Sequence, residues 1–174
     1  EAMMLMMKDC RLKGLFCMGM NPAVGGQNAR LARQGLANLD WLVVRDLVMI
    51  ESATFWKDAP EIETGEIAAE RCRTEVFFFP AASHVEKSGS FTQTQRMLQW
   101  RDKAVEPAGD QRSELWFFYH LGRRLRQKLA GSADPRDRPL LDLKWDYATE
   151  GNWDPAGDEP SGADVLRHIN GVDL

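Results

Sequence analysis

The chain has 174 residues, the size of one domain, and its 44% hydrophobic content suffices for a buried core. Lys and Arg number 22 against 26 acids, a net charge of −4, so wrapping nucleic acid by phosphate neutralisation is excluded. No apolar run approaches the ~18 residues of a membrane-spanning helix, so no direct membrane insertion is expected.

Three widely spaced cysteines (Cys10, Cys17, Cys72) and three histidines (His84, His120, His168) make no C-x-x-C motif and no i,i+4 metal pair. A disulfide scaffold, a zinc site and an iron–sulfur cluster therefore lack ligands here. The Met-rich start, residues 1–8, reads as the tail of a helix in ordinary packing. It has neither the basic region nor the small-residue cleavage site of a signal peptide.

Gly14-Leu15-Phe16-Cys17-Met18 is an all-apolar strand, the pattern of a parallel strand covered on both faces. It opens into Gly19-Met20-Asn21-Pro22, and the chain stays loop-like through Gly25-Gly26. A helix is expected over 27–38. Leu31 and Leu36, or Ala32 and Leu36, turn inward, with Arg30, Arg33 and Gln34 outward. A second strand covers 41–45 and stops at Arg45-Asp46. Parallel strands joined by one helix need a right-handed crossover, which brings both strand ends to one edge of the sheet. Asn21 and Asp46 are thus expected to face one ligand: the first loop holds a phosphate, and the acid meets a ribose or base.

A short helix is expected over 52–57. Residues 58–73, with Glu61, Glu63, Glu66 and Glu70, read as a solvated excursion rather than an acid–base pair. A third strand runs over 74–79, ended by Pro80. The polar, glycine-punctuated stretch 81–92 starts at that strand's carboxyl end, where ligand loops of open α/β sheets lie.

Ser113 is expected to cap a helix running to about 129, with Glu114 in its first turn and Leu121, Leu125 and Leu129 on one face. Beyond 131 come Asp134-Pro135, Arg138-Pro139, Asp154-Pro155 and Glu159-Pro160, anchored by Trp145, Tyr147 and Trp153. A closing helix over 161–169 follows, with Gly171 past its end. The fold class expected is α/β: a Rossmann-like three-layer domain with a mostly parallel sheet over 1–130, and an irregular extension with the closing helix over 131–174.

Gly-x-Asn-Pro alone is a turn signal, and the Gly-x-Gly-x-x-Gly fingerprint is absent. The ordered set is more specific. Gly19-Met20-Asn21-Pro22, Val43-Val44-Arg45-Asp46, Phe79-Pro80-Ala81-Ala82, Glu86-Lys87-Ser88-Gly89-Ser90-Phe91 and Gln95-Arg96 together resemble the molybdopterin oxidoreductase superfamily. Phe55-Trp56-Lys57-Asp58, the Glu-rich stretch, the run from Ser113 to Arg124 and Ile169-Asn170-Gly171 look like the large (alpha) subunit of respiratory formate dehydrogenase.

The resemblance covers about 13–172 and implies a middle portion of a much longer subunit. Such a subunit oxidises formate to carbon dioxide at molybdenum or tungsten held by two molybdopterin guanine dinucleotides. It passes electrons to an iron–sulfur cluster whose ligands, like the metal-ligating cysteine or selenocysteine, belong to sequence preceding this segment. The resemblance further implies an iron–sulfur beta subunit and a membrane cytochrome subunit as partners, a periplasmic location, and no catalytic residue in this chain, which is expected to be inactive alone.

Carried over by motif, the phosphate-proximal asparagine falls on Asn21, the guanosine-facing pair on Arg45 and Asp46, the loop lysine on Lys87, and the acid before Leu-Trp on Glu114. Asn offers amide donors and tolerates a left-handed backbone, Asp accepts paired hydrogen bonds, and Lys supplies a point charge. The same residues also read as a turn asparagine, a helix-capping aspartate, a surface lysine and a first-turn acid. Cys17 reads as a buried strand residue. Two further readings stand beside this one: another superfamily member such as a nitrate reductase, or a non-catalytic nucleotide- or partner-binding module.

Overall fold

The computed structural model describes residues 2–143, 147, 149–150 and 159–170. Trp145, Trp153, Asp154-Pro155 and Gly171 lie outside the described residues. The chain divides into two compact units, Glu1–Ala81 and Ala82–Leu174.

The first unit carries helix α1 (Ala2–Lys8), strand β1 (Gly14–Met18), helices α2 (Pro22–Gly25) and α3 (Ala29–Leu36), and strand β2 (Trp41–Asp46). Helices α4 (Glu51–Asp58) and α5 (Pro60–Glu63), a 3-10 turn at Ala69–Arg71 and strand β3 (Glu75–Pro80) complete it. The three strands are parallel in the order β1-β2-β3, with Leu15 opposite Leu42 and Leu42 opposite Val76. The expected α/β class with its parallel sheet is borne out. The third strand begins one residue later than expected and includes Pro80, whose missing donor falls at the strand's last position.

Strands in sequential order, linked by right-handed crossovers, place both crossovers on the same face of the sheet. The core follows that rule. Cys17, Leu42 and Val44, with Leu15, Val76 and Phe78, pack against Met7, Ala23, Leu36, Ala53 and Phe55 from four helices. The opposite face carries Phe16, Val43 and Phe77 in one register row. Phe16 is 43% exposed, so the expectation that the first strand is covered on both faces is corrected. An apolar strand at a sheet edge reads in sequence like a central one, because side-chain type does not report pairing.

Two glycines permit close approach. A Cβ at Gly35 would lie 3.1 Å from both the Met4 carbonyl oxygen and Met7 Cβ, so α1 sits tightly on α3. Met7 is buried there while Met3 and Met6 are exposed, which is ordinary amphipathic packing. At the strand pair Gly14–Trp41, a Cβ on Gly14 would lie 2.0 Å from Trp41 Cε2. The indole fills that space and meets Phe16 edge-on, with ring centroids 5.3 Å apart.

The Glu-rich stretch departs from the expected solvated excursion, and Arg33 from its expected outward direction. Arg33 Nε and Nη2 donate to the two Glu61 carboxylate oxygens at 2.6 and 2.7 Å, and Nη1 donates to the Ala23 carbonyl at 2.6 Å. Glu61 is buried, and Glu66 accepts from Arg30 and Gln34. Periodicity placed Arg33 on the polar side of α3, but its long stem crosses to a carboxylate presented by α5.

The second unit contains an antiparallel hairpin of strands β4 (Gly89–Thr92) and β5 (Leu98–Arg101), then helix α6 (Glu114–Lys128). A 3-10 turn at Pro135–Asp137, helix α7 (Arg138–Leu141), the paired strands β6 (Thr149–Glu150) and β7 (Glu159–Pro160), and helix α8 (Gly162–Ile169) follow. Ser113 caps α6 as expected, its Oγ accepting from the Trp116 amide at 2.9 Å, and Ser161 caps α8. On the expected leucine face of α6, Leu121 and Leu129 are half-buried and Leu125 is exposed, while the fully buried positions are Phe117 and Gly122.

The bidentate Arg33–Glu61 pair holds the Glu61 carboxyl below the usual carboxylate range, the Arg33 hydrogen bonds being the chief cause. Its stabilising contribution is therefore complete above the unfolded carboxylate value of roughly pH 4.3 and is lost as pH falls through the lower folded value. Glu61→Ala should destabilise the fold by about 3 kcal/mol in urea unfolding at neutral pH, because it strands a largely buried guanidinium. Between pH 5 and 3 the variant should lose less stability than the parent chain.

Candidate functional site

The carboxyl ends of β1 and β2 form a rim. Gly19 turns the chain with φ +63°, and its amide donates to the Arg45 carbonyl at 3.1 Å, so the two strand exits lie side by side. The Ala81 amide donates to the Asp46 carbonyl at 3.0 Å, bringing the exit of β3 to the same edge. Asn21 and Asp46 thus share one edge of the sheet.

Asn21 has negative φ, −120°; the left-handed residue of the turn is Gly19, two positions earlier. Asn21 Nδ2 donates to Glu51 Oε2 at 2.6 Å. Its Oδ1 accepts from the Ser52 hydroxyl at 2.7 Å and from the Ser52 amide at 3.2 Å. Ser52 Oγ, fully buried, in turn accepts from the Ala23 amide at 3.1 Å. One asparagine therefore ties the β1 loop to the first turn of α4, and one serine passes that tie to α2. Glu51 and Ser52 are the residues that sequence reasoning missed. Their signal was a polar pair at a helix start directly after an apolar loop.

Asp46 Oδ1 accepts from the Leu47 amide at 2.8 Å, a local turn rather than a helix cap, since α4 starts at Glu51. Leu47, Val48 and Met49 follow as exposed apolar side chains, and Met20 is exposed on the neighbouring loop. Arg45 is only 2% exposed, so an outside ligand meets it only by entering the interior. Glu51's carboxyl is held below the usual range by its own backbone amide and by the Asn21 amide. Cys17 is buried, donates to the Met20 carbonyl at 3.0 Å, and has its thiol pushed up to about 11 by burial and by the Asp46 charge. A thiol so protonated is a poor nucleophile or ligand.

In the second unit the structure brings Lys87 and Glu114 into direct contact. Lys87 Nζ ion-pairs with Glu114 Oε2 and donates to the Ala82 carbonyl at 3.1 Å. Glu114 stands at the first turn of α6, and Lys87 leads into β4. Both line a cleft of about 420 Å³. Among the described residues, no group of three His, Cys, Asp or Glu side chains could hold a metal ion.

No family model matches the chain. Curated relatives do. Formate dehydrogenase subunit alpha of Megalodesulfovibrio gigas is 33% identical over 147 residues, 83% of this chain and 14% of the relative. Formate dehydrogenase 2 subunit alpha (cytochrome c-553) of Nitratidesulfovibrio vulgaris is 37% identical over 135 residues, 78% of this chain and 13% of the relative.

This chain is homologous to part of the formate dehydrogenase large subunit. The nitrate-inducible major subunit of Escherichia coli formate dehydrogenase extends the match to 97% of the chain, at 29% identity and 16% of its own length. The chain thus spans about one-seventh of the length of the relatives it matches. Within this formate dehydrogenase segment, the Asn21 loop and the Asp46 exit form one rim, and Lys87 and Glu114 form one ion pair.

The rim clasp is directly testable. Asn21→Ala should cost about 1–3 kcal/mol of stability, because it leaves the buried Ser52 hydroxyl short of a partner. Amide hydrogen exchange at Ala23 and Ser52 should accelerate well ahead of exchange in β2.

Proposed function

We propose that this chain is the portion of a formate dehydrogenase large subunit that grips one guanine dinucleotide arm of the molybdenum or tungsten cofactor, with residues 1–130 carrying the grip. The observation that carries the reading is the shared rim of the Asn21 loop and Asp46, in a chain homologous over most of its length to formate dehydrogenase alpha subunits.

The donor set of the rim fits the sugar–base end of that cofactor. Asp46 and Glu51 are both acceptors, and the Arg45 guanidinium nearby is buried. Two carboxylates repel a phosphate and attract N–H and O–H donors such as a guanine edge or ribose hydroxyls. The exposed Met20, Leu47, Val48 and Met49 add an apolar ledge suited to the face of a flat ring. On this reading Asn21 works at one remove from the ligand: its amide sets Glu51 and the α4 start, instead of touching a phosphate.

When bound, the cofactor supplies the metal centre at which formate is oxidised. The chain's own residues bind and orient its nucleotide end. Asp46 accepts donor protons, Asn21 and Ser52 hold the two loops in register, and the apolar ledge excludes water from one ring face. The reading brings with it formate as substrate of the whole enzyme, an iron–sulfur beta subunit and a membrane cytochrome subunit as partners, and a periplasmic setting. Among the described residues, no helix is long and apolar enough to cross a membrane.

In the intact large subunit, Asp46→Ala should weaken cofactor retention by roughly 1.5–3 kcal/mol, the scale of hydrogen bonds to a charged group. Purified variant enzyme should then hold substoichiometric molybdenum or tungsten and guanine. Full metal and guanine content would count against the rim as the grip. The 174-residue chain alone should reduce no dye with formate.

A further inference from the structure

We propose that the C-terminal half of α6 is a docking surface for an acidic segment of a separate partner protein, a segment whose carboxylates flank an apolar side chain. The surface uses none of the residues of the cofactor reading, so the two proposals fail independently.

The sequence concentrates one sign of charge there. Arg123, Arg124, Arg126 and Lys128 fall within six residues of α6, and no acid stands between Glu114 and Asp134, although the whole chain carries −4. The fold leaves this stretch in solvent: positions 123–125, 127 and 128 are exposed. Elsewhere in the second unit, close spacing joins opposite charges, as in Lys103–Glu106, Arg138–Asp142 and Arg167–Asp164. On α6 it joins like charges. Arg123 and Arg126 stand three positions apart, Arg124 and Lys128 four, and such pairs destabilise the helix that carries them. Among the described residues, none of these four cations has an ion pair. Arg123 instead lies over the Tyr119 ring, 5.3 Å from its centroid. The helix macrodipole accounts for cations in the last turn, here Arg126 and Lys128, but fades before Arg123 and Arg124. Carboxylates from a partner would relieve the repulsion.

The apolar side chains give the surface its shape. Phe118 and Leu125 are both exposed. Seven positions apart, they lie on one side of α6, about 10 Å from each other along its axis, with Arg126 and Lys128 to either side of Leu125. The complement is an apolar side chain flanked by carboxylates, to which each guanidinium offers a planar fork of donors. A nucleic acid brings phosphates without the apolar side chain, and an anionic lipid surface repels the remainder of a chain whose net charge is −4. Permanent interfaces bury mostly apolar surface, whereas charge speeds the encounter of partners that come and go. Four cations around two apolar side chains match the second kind, which assigns the occupant to another polypeptide.

The test uses the intact large subunit, with a fluorescent helical peptide as probe that carries two leucines seven positions apart among glutamates. A peptide of the same composition with its leucines dispersed is the control. In anisotropy titrations the first peptide should bind about tenfold more tightly than the second, the scale of seating one apolar side chain. Raising salt from about 0.1 to about 1 M, which shortens the screening length from roughly 10 to roughly 3 Å, should weaken binding about tenfold or more.

The double variant Arg123→Glu/Arg124→Glu should abolish binding, and Leu125→Ser should weaken it about tenfold. All three positions are exposed, so the melting midpoints should stay close to the parent's. No binding by the first peptide, equal binding by the second, or folded variants of unchanged affinity would each overturn the proposal. Tighter binding to vesicles of phosphatidylserine and phosphatidylcholine than to the peptide would also overturn it, by making the surface a membrane contact. So would carbodiimide coupling of Lys128 to a carboxylate of the large subunit itself, in the same or a second copy.

Discussion

The handedness of parallel crossovers is the constraint on which the first unit depends. With strands in the order β1-β2-β3, both connections are forced to the same side of the sheet, and all three strands exit at one edge. From that single geometric fact follow the one-sided core around Leu42 and Val44, the open row of Phe16 and Phe77, and the meeting of the Asn21 and Asp46 loops. The hydrogen bond from the Gly19 amide to the Arg45 carbonyl prolongs the strand ladder one step past β1, and the left-handed glycine then releases the chain towards α2.

Charge is organised by neutralisation at short range. Arg33 meets Glu61, Arg30 meets Glu66, Lys87 meets Glu114, and Lys103 meets Glu106. The rim differs: its carboxylates Asp46 and Glu51 contact amides instead of cations. A surface so arranged recognises hydrogen-bond donors by geometry and has little long-range pull on anions. Such a rim offers acceptors to donor groups within a chain whose net charge is −4.

Legibility in the sequence followed the physics of each element. Strands β1 to β3, the cap at Ser113 and the closing helix were readable because apolar runs and N-cap chemistry act locally. The β4–β5 hairpin was not. Its five-residue turn has Arg96 at φ +65° where a glycine or asparagine would have flagged it, and its strands are too short for alternation to emerge. The Glu61 pair was hidden because sequence shows Arg33 and Glu61 as polar residues 28 positions apart, and only the packing of α3 on the α5 segment joins them. For the site, strand exits and the Asp46 position were legible from the βαβ order. The partners of Asn21 were not, since Ser52 lies 31 residues away across a crossover.

The contact between Gly14 and Trp41 has its own consequence. With the indole occupying the volume a side chain at 14 would need, the two positions act as a single packing unit spread over neighbouring strands. Scanning either site alone would report intolerance at both. Natural divergence there should arrive as compensated swaps, bulk gained on the edge strand only where it is surrendered on the central one.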